Sequence, residues 1–200
     1  MLRCLADTLR VLHINGERHV TQKLNLLGIS GSLRAASYNT YLLHEAARCF
    51  GDCTFEMANI RLPLFDEDLE AEGIPADVIT LHSQILAADA IIIATPEYNK
   101  NLSGSLKNAL DWLSRVKPQP WAGKPVAIMS AAAGGTGGVR AQYSLRHCMT
   151  TFNPRILQAP EIMIAGAGKA FDDDGRLVDA RTVSFLATQM DALKAEVARG

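Results

Sequence analysis

The run Ala90–Thr95 (AIIIAT) is apolar from Ala90 through Ala94, rich in β-branched side chains, and closed by Pro96. Alternating polarity marks a strand with one wet face, whereas an unbroken apolar run marks a strand covered on both. Proline has no N–H and ends the ladder there. Strands covered on both faces belong to parallel sheets, which need helical crossovers, so the rest of the chain is expected to alternate strand and helix. Further apolar strands are read at 24–30 (LNLLGIS) and 125–130, an alternating one at 54–60, and a last one over 155–164. Helical spacing of apolar residues predicts helices over 37–50, 76–88, 103–115, 139–151 and 179–198. The expected architecture is one α/β sandwich over 24–200, with a parallel sheet between helical layers.

Composition narrows the function classes. A formal net charge of −1 over 200 residues leaves no basic footprint for nucleic acid. No apolar stretch approaches the roughly 20 residues needed to cross a membrane. Cys4, Cys49, Cys53 and Cys148 match no metal spacing, and Cys49 with Cys53 read as reduced, partly buried thiols rather than a redox couple. A cytoplasmic protein is expected. Residues 1–23 begin basic, but Asp7, Arg10, His13 and Asn15 interrupt any signal-like apolar core, so they read as an N-terminal extension outside the fold. The sequence offers no metal site. Asp172, Asp173, Asp174 and Gly175 lack the calcium-loop spacing, and the histidines are scattered.

In open parallel sheets, ligands sit beyond the carboxyl ends of the strands, where strand order reverses. The segments following the strands are therefore the informative ones. After the first comes GISGSLRAASYN, over 28–39. Gly31 permits a tight turn, and the next helix start offers unpaired N–H groups with a partial positive charge. Ser32, Ser37 and Asn39 add polar side chains, and Arg34 adds a charge suited to a phosphate dianion. Dinucleotide, triphosphate and nucleophile-elbow spellings all fail here, which leaves a monophosphate site or a plain polar helix cap. After the central strand, Pro96, Glu97, Tyr98 and Asn99 offer a flat aromatic face and hydrogen bonds around a planar ring. After 125–130, the small residues running through Gly134, Gly135, Gly137 and Gly138 permit close backbone approach. One loop for a phosphate and two for a planar heteroaromatic ring together describe flavin mononucleotide (FMN).

The same residues carry a family resemblance. Gly31–Arg34 with Ser37 and Asn39, then Pro96–Asn99, then 106–112 (LKNALDW), then Gly137, Gly138, Arg140, Gln142, Leu145 and Arg146 resemble the NADPH-dependent FMN reductases. Within them the chain is similar to the chromate and quinone reductase branch, over about 24–197. The resemblance implies a flavodoxin-like three-layer sandwich with a five-stranded parallel sheet in the order 2-1-3-4-5. It implies bound FMN, with NADPH or NADH as electron donor. It places Ser32, Leu33, Arg34, Ser37 and Asn39 at the phosphate, Pro96, Glu97, Tyr98 and Asn99 along the isoalloxazine ring, and Ser130, Ala131 and Gly134 against it. It also implies a dimer or tetramer, with Arg140, Tyr143 and Glu161 as interface candidates. Lys100 and Ser103 depart from the family pattern. Ser103 suits the helix cap where proline is usual, and Lys100 alters the mouth of the site.

Flavin carries the redox chemistry itself, so the sequence needs no triad and no catalytic residue is assigned. The expected activity is transfer of electrons from NAD(P)H through FMN to a small acceptor such as a quinone or chromate, by a ping-pong cycle in one pocket. The alternative is a flavodoxin-like electron carrier without NAD(P)H activity of its own, to which a net charge of −1 is poorly suited.

Overall fold

Every residue of Ala90–Thr95 is buried, and neighbouring strands cover it on both edges. The computed structural model describes residues 23–200, together with a two-residue pairing of His13–Ile14 with Glu17–Arg18. The extension expected over 1–23 otherwise lies outside the described residues. In chain order the elements are β1 (Leu24–Ser30), α1 (Tyr38–Phe50), β2 (Cys53–Met57), α2 (Glu67–Glu72), α3 (Ala76–Ala87), β3 (Ala90–Thr95), α4 (Gly104–Arg115), β4 (Pro125–Ala131), α5 (Val139–Met149), β5 (Arg155–Ile156), β6 (Ile162–Ile164) and α6 (Ala180–Ala198). The sheet runs β2-β1-β3-β4-β5, with every pairing parallel, which is the 2-1-3-4-5 order.

Side chains leave each strand on alternate faces, and the two faces build two cores. Leu26, Ala90, Ile92, Ala94, Ala127 and Met129 pack under α1 and α6. Leu27, Ile29, Ile91, Ile93, Val126 and Ile128 pack under α3, α4 and α5. Each isoleucine of β3 contributes about 2 kcal/mol through burial, and neither face reaches water. That accounts for the unbroken apolar spelling.

Two expectations need correction. The single last strand over 155–164 is two pieces: β5 pairs with the start of β4 and β6 with its end. Pro160 between them has no N–H to give to a ladder, and the 157–161 segment leaves the sheet. The helix α2 was not expected. It spans six residues with no buried side chain, so it carries no apolar period to read, and its signal is the Asp66 cap accepting from Asp68 N at 3.0 Å.

On α1 itself, Glu45 is 1% exposed. Its carboxylate receives Arg48 Nη2 at 2.8 Å and Arg176 Nη1 at 3.0 Å, fixing the 172–178 turn to the helix. Burial alone pushes this carboxyl up, but the hydrogen bonds from Arg48 and Arg176 outweigh it and hold the group below the ordinary value. A depressed carboxyl stabilises the fold above its unfolded pKa, and that contribution is lost as pH falls through the folded value. Glu45→Gln should therefore cost about 1–3 kcal/mol at neutral pH, measured by urea denaturation. The gap between variant and wild type should close as acid protonates Glu45, whereas a gap constant with pH would contradict the assignment.

Candidate functional site

The carboxyl ends of β1, β3 and β4 meet where strand order reverses. Between them lies a cleft lined by Ser32, Arg34, Ser37, Tyr38, Asn39, Pro96, Glu97, Tyr98 and Ala131–Ala133. Wider depressions occur elsewhere, one of them bordered by Arg146, Thr150, Asn153 and Gln158, but that one lies away from these strand ends.

The first loop is held from several sides. Gly31 N donates to Ala94 O at 2.7 Å, and Ser105 Oγ donates to Gly31 O at 2.9 Å. A Cβ at residue 31 would lie 3.0 Å from Ser103 Oγ and 3.1 Å from Pro96 Cδ, so the close approach of these loops favours glycine. Arg61 Nη2 donates to Leu33 O at 3.1 Å, and Asn108 and Trp112 anchor the segment carrying Arg61 by donating to Pro63 O. Arg61 was not foreseen, because an arginine in a loop gives no sequence sign of a carbonyl 28 residues away. The amides of Leu33, Ala35 and Ala36 meet no acceptor among the described residues. Ser37 caps α1 by accepting from Asn39 N at 3.2 Å. Ser32 Oγ accepts from Arg34 N at 3.4 Å, and the Arg34 guanidinium stands 5.1 Å above the Tyr38 ring.

Asn39 is turned away from the loop. Its Nδ2 donates to Ala131 O and its Oδ1 accepts from Ala131 N, both at 2.9 Å. Both ends of the amide are thus spent on joining α1 to the end of β4.

The second loop is a two-residue hairpin turn. Tyr98 and Asn101 exchange both backbone hydrogen bonds at 3.0 Å, with Asn99 at φ 50° and Lys100 at φ 66°. Asparagine tolerates that region, whereas lysine there costs about 1 kcal/mol. The Tyr98 ring is 54% exposed and borders the cleft, while Asn99 lies at the exposed tip. Glu97 reaches across to the start of α5, where Oε1 receives Arg140 Nη1 at 3.1 Å and Oε2 receives Arg140 N at 3.2 Å. Ser103 caps α4, accepting from Leu106 N at 3.3 Å, as expected where proline is usual.

The third loop brings Ala131, Ala132 and Ala133 to the cleft. Beside them Gly134 and Gly135 have open space where a Cβ would stand. Ser130 is fully buried and faces inward, donating to Gly137 O at 2.6 Å. Elsewhere, burial pushes the Cys49 and Cys53 thiols up, which disfavours the thiolate that redox exchange needs. No group of acidic, histidine or cysteine side chains suited to a metal occurs among the described residues.

Free amides, an arginine, an exposed tyrosine and a small-residue loop come together in one cleft at the strand ends of a flavodoxin-like sandwich. The chain belongs to the NADPH-dependent FMN reductase family, whose model matches residues 24–169. It is 44% identical to an NAD(P)H-dependent FMN reductase of Pseudomonas aeruginosa, over 90% of this chain and 98% of that protein. It is 37% identical to a quinone reductase of Escherichia coli K12, over 86% of this chain and 95% of that protein. Among solved structures it resembles FerB, a flavoenzyme NAD(P)H:(acceptor) oxidoreductase of Paracoccus denitrificans. That match has a TM-score of 0.79 and 31% identity, covering 88% of this chain and 98% of FerB. The protein is thus an oxidoreductase of the FMN- and NAD(P)H-dependent class. The donor set of the cleft fits FMN: Arg34 and unpaired amides suit its phosphate, and the open Cβ positions of Gly134 and Gly135 leave room beside its ring.

The amide of Asn39 gives a sharp test of its place. Asn39→Ala removes two buried hydrogen bonds and should cost about 2 kcal/mol of folding stability, read from the denaturant midpoint. An unchanged midpoint would show that this tie carries no weight.

Proposed function

We propose that the protein passes electrons from NADPH or NADH through bound FMN to quinones and similar small acceptors, chromate among them. The observation that carries this reading is the composition of one cleft, where Arg34 and the 32–37 loop come together with Tyr98 and the small residues 131–133. The quinone reductase name of the Escherichia coli relative supports the acceptor class. When bound, FMN supplies the hydride-accepting and electron-donating chemistry.

On this reading Ser32, Leu33, Arg34 and Ser37 hold the phosphate through side chains and loop amides, charge-assisted at Arg34. Asn39 serves the phosphate end indirectly, by fixing the α1 start to Ala131. Pro96, Glu97, Tyr98 and Asn99 form one wall for the ring, and Ala131 and Gly134 the other. Ser130 shapes the second wall from inside. Arg140 reaches the site through Glu97, which it locks against α5, and through Thr136 Oγ1 of the third loop. Lys100, exposed at the turn tip, adds positive charge near the mouth and favours anionic acceptors or the 2′-phosphate of NADPH. One cleft serving both donor and acceptor implies alternation between them, hence ping-pong kinetics. Arg140, Tyr143 and Glu161 belong to the surface proposed to join copies into a dimer or tetramer, where the 56% exposed Tyr143 is an apt anchor. No helix among the described residues is long and apolar enough to cross a membrane, and we place the protein in the cytoplasm.

Purified protein loaded with FMN should lose flavin absorbance on anaerobic addition of NADPH or NADH and regain it on addition of benzoquinone. A flavin that stays oxidised would reject the reductase reading. Arg34→Ala should weaken FMN binding about 10- to 100-fold, the loss of one charge-assisted hydrogen bond. Undiminished affinity would remove Arg34 from the phosphate site.

A further inference from the structure

Behind the third loop, one buried side chain belongs to none of the roles above. Gln142, on the first turns of α5, is 1% exposed. Its Nε2 donates to Ser130 Oγ at 2.8 Å and to Ile162 O at 2.7 Å. A carbonyl oxygen only accepts, so the contact with Ile162 fixes which end of the amide is nitrogen. The hydroxyl of Ser130 must then accept from Gln142, and its single proton goes to Gly137 O at 2.6 Å. The hydrogen bonds therefore run in one direction, from Gln142 to Ser130 to Gly137, with no alternative arrangement of protons.

This relay acts on the part of the third loop that has least support of its own. Gly137 has φ 60°, and a Cβ there would stand 2.8 Å from the Met163 carbonyl carbon. Gly138 has φ 91°, with Ser130 Cβ 2.9 Å from where its own Cβ would be. These glycines let the chain fold flat onto β4 and β6. Residues 133–136 ahead of them are exposed, and the amides of Ala133, Gly134 and Gly135 meet no acceptor among the described residues. Their position is held by the pinned carbonyl of Gly137, by Gly137 N and Gly166 N donating to Gly134 O at 3.2 and 3.4 Å, by Val139 N donating to Thr136 O at 3.3 Å, by Arg140 Nη1 donating to Thr136 Oγ1 at 3.5 Å, and by Ala132 N donating to Ile164 O at 3.0 Å.

We propose that Gln142 is a positioning residue for the cofactor site, setting the loop amides of 133–135 through Ser130 and Gly137 so that they face the flavin ring. This rests on the FMN reading of the cleft. Gln142 touches neither cofactor nor substrate in this account and acts on the Gly137 carbonyl through Ser130. The same buried contact with Ile162 O keeps β6 in register beneath the loop, so one amide nitrogen ties α5, β4, β6 and the loop together.

A second buried glutamine supplies the control. Gln189 on α6 is also 1% exposed, and its Nε2 donates to Pro160 O at 2.8 Å and to Ile128 O at 3.3 Å. It supports the same broken strand from the opposite layer, without contact to the loop. Gln142→Leu, Ser130→Ala, the pair of them together, and Gln189→Leu would each be stripped of flavin and titrated with FMN, following flavin fluorescence and the visible spectrum, beside thermal unfolding. Gln142→Leu and Ser130→Ala should each weaken FMN binding on the order of tenfold, about 1.4 kcal/mol, and alter the spectrum of bound flavin. The double variant should be little worse than either single one, as expected for members of one relay. Gln189→Leu should lower the thermal midpoint while keeping wild-type affinity and spectrum.

If Gln142→Leu and Ser130→Ala lose only stability and bind FMN like Gln189→Leu, Gln142 is a core residue and the proposal fails. Additive losses in the double variant would equally break the relay. Should Gln142→Leu not fold, Ser130→Ala alone decides, since wild-type affinity in that variant contradicts the relay. Failure of the wild type itself to bind FMN would instead overturn the cofactor reading on which the proposal rests.

Discussion

A strand buried on both faces cannot sit at the rim of a sheet or turn directly back on itself. Ala90–Thr95 is such a strand, and its neighbours Leu24–Ser30 and Pro125–Ala131 run parallel to it because helical crossovers supply the cover that it needs. The rest follows from that geometry. Every crossover leaves from the carboxyl edge, so Ser32, Pro96 and Ala132 emerge side by side although they are far apart in sequence. The cleft is a by-product of burying Ile91, Ile92 and Ile93.

What the fold leaves unfixed is the shape of each loop, and here polar contacts take over from packing. The bidentate amide of Asn39 joins the start of α1 to the end of β4 across 92 residues of sequence. Glu97 joins the central turn to α5 through Arg140, and Arg61 holds the first loop by its carbonyl. These groups leave the loop amides free by satisfying other parts of the same loops. A rigid rim with unspent donors is the arrangement that binds an anion at least cost in ordering.

Much of this could be read from residue order alone. The apolar run of β3, the helical periods and the glycine after β1 report local requirements, and local requirements are written locally. Ser103 caps its helix where its position leads us to expect a cap. Direction was the part not legible. Asn39 and Ser130 look like loop donors in sequence, yet each is turned inward toward a partner that only the folded sheet supplies. The division of the last strand into β5 and β6 was hidden for a related reason. An apolar stretch containing Pro160 does not reveal whether its two ends both return to β4. Short α2 escaped because a helix that buries nothing leaves no period.

The central claim is that loops from β1, β3 and β4 jointly hold FMN at the carboxyl edge, phosphate toward α1 and ring toward Tyr98 and the glycine loop. A crystal structure of the FMN complex tests it most directly. The account predicts phosphate oxygens within hydrogen-bonding distance of the 32–37 loop amides and of Arg34, with the ring between Tyr98 and residues 131–134. A phosphate seated anywhere else, or a ring turned out of that cleft, would contradict it.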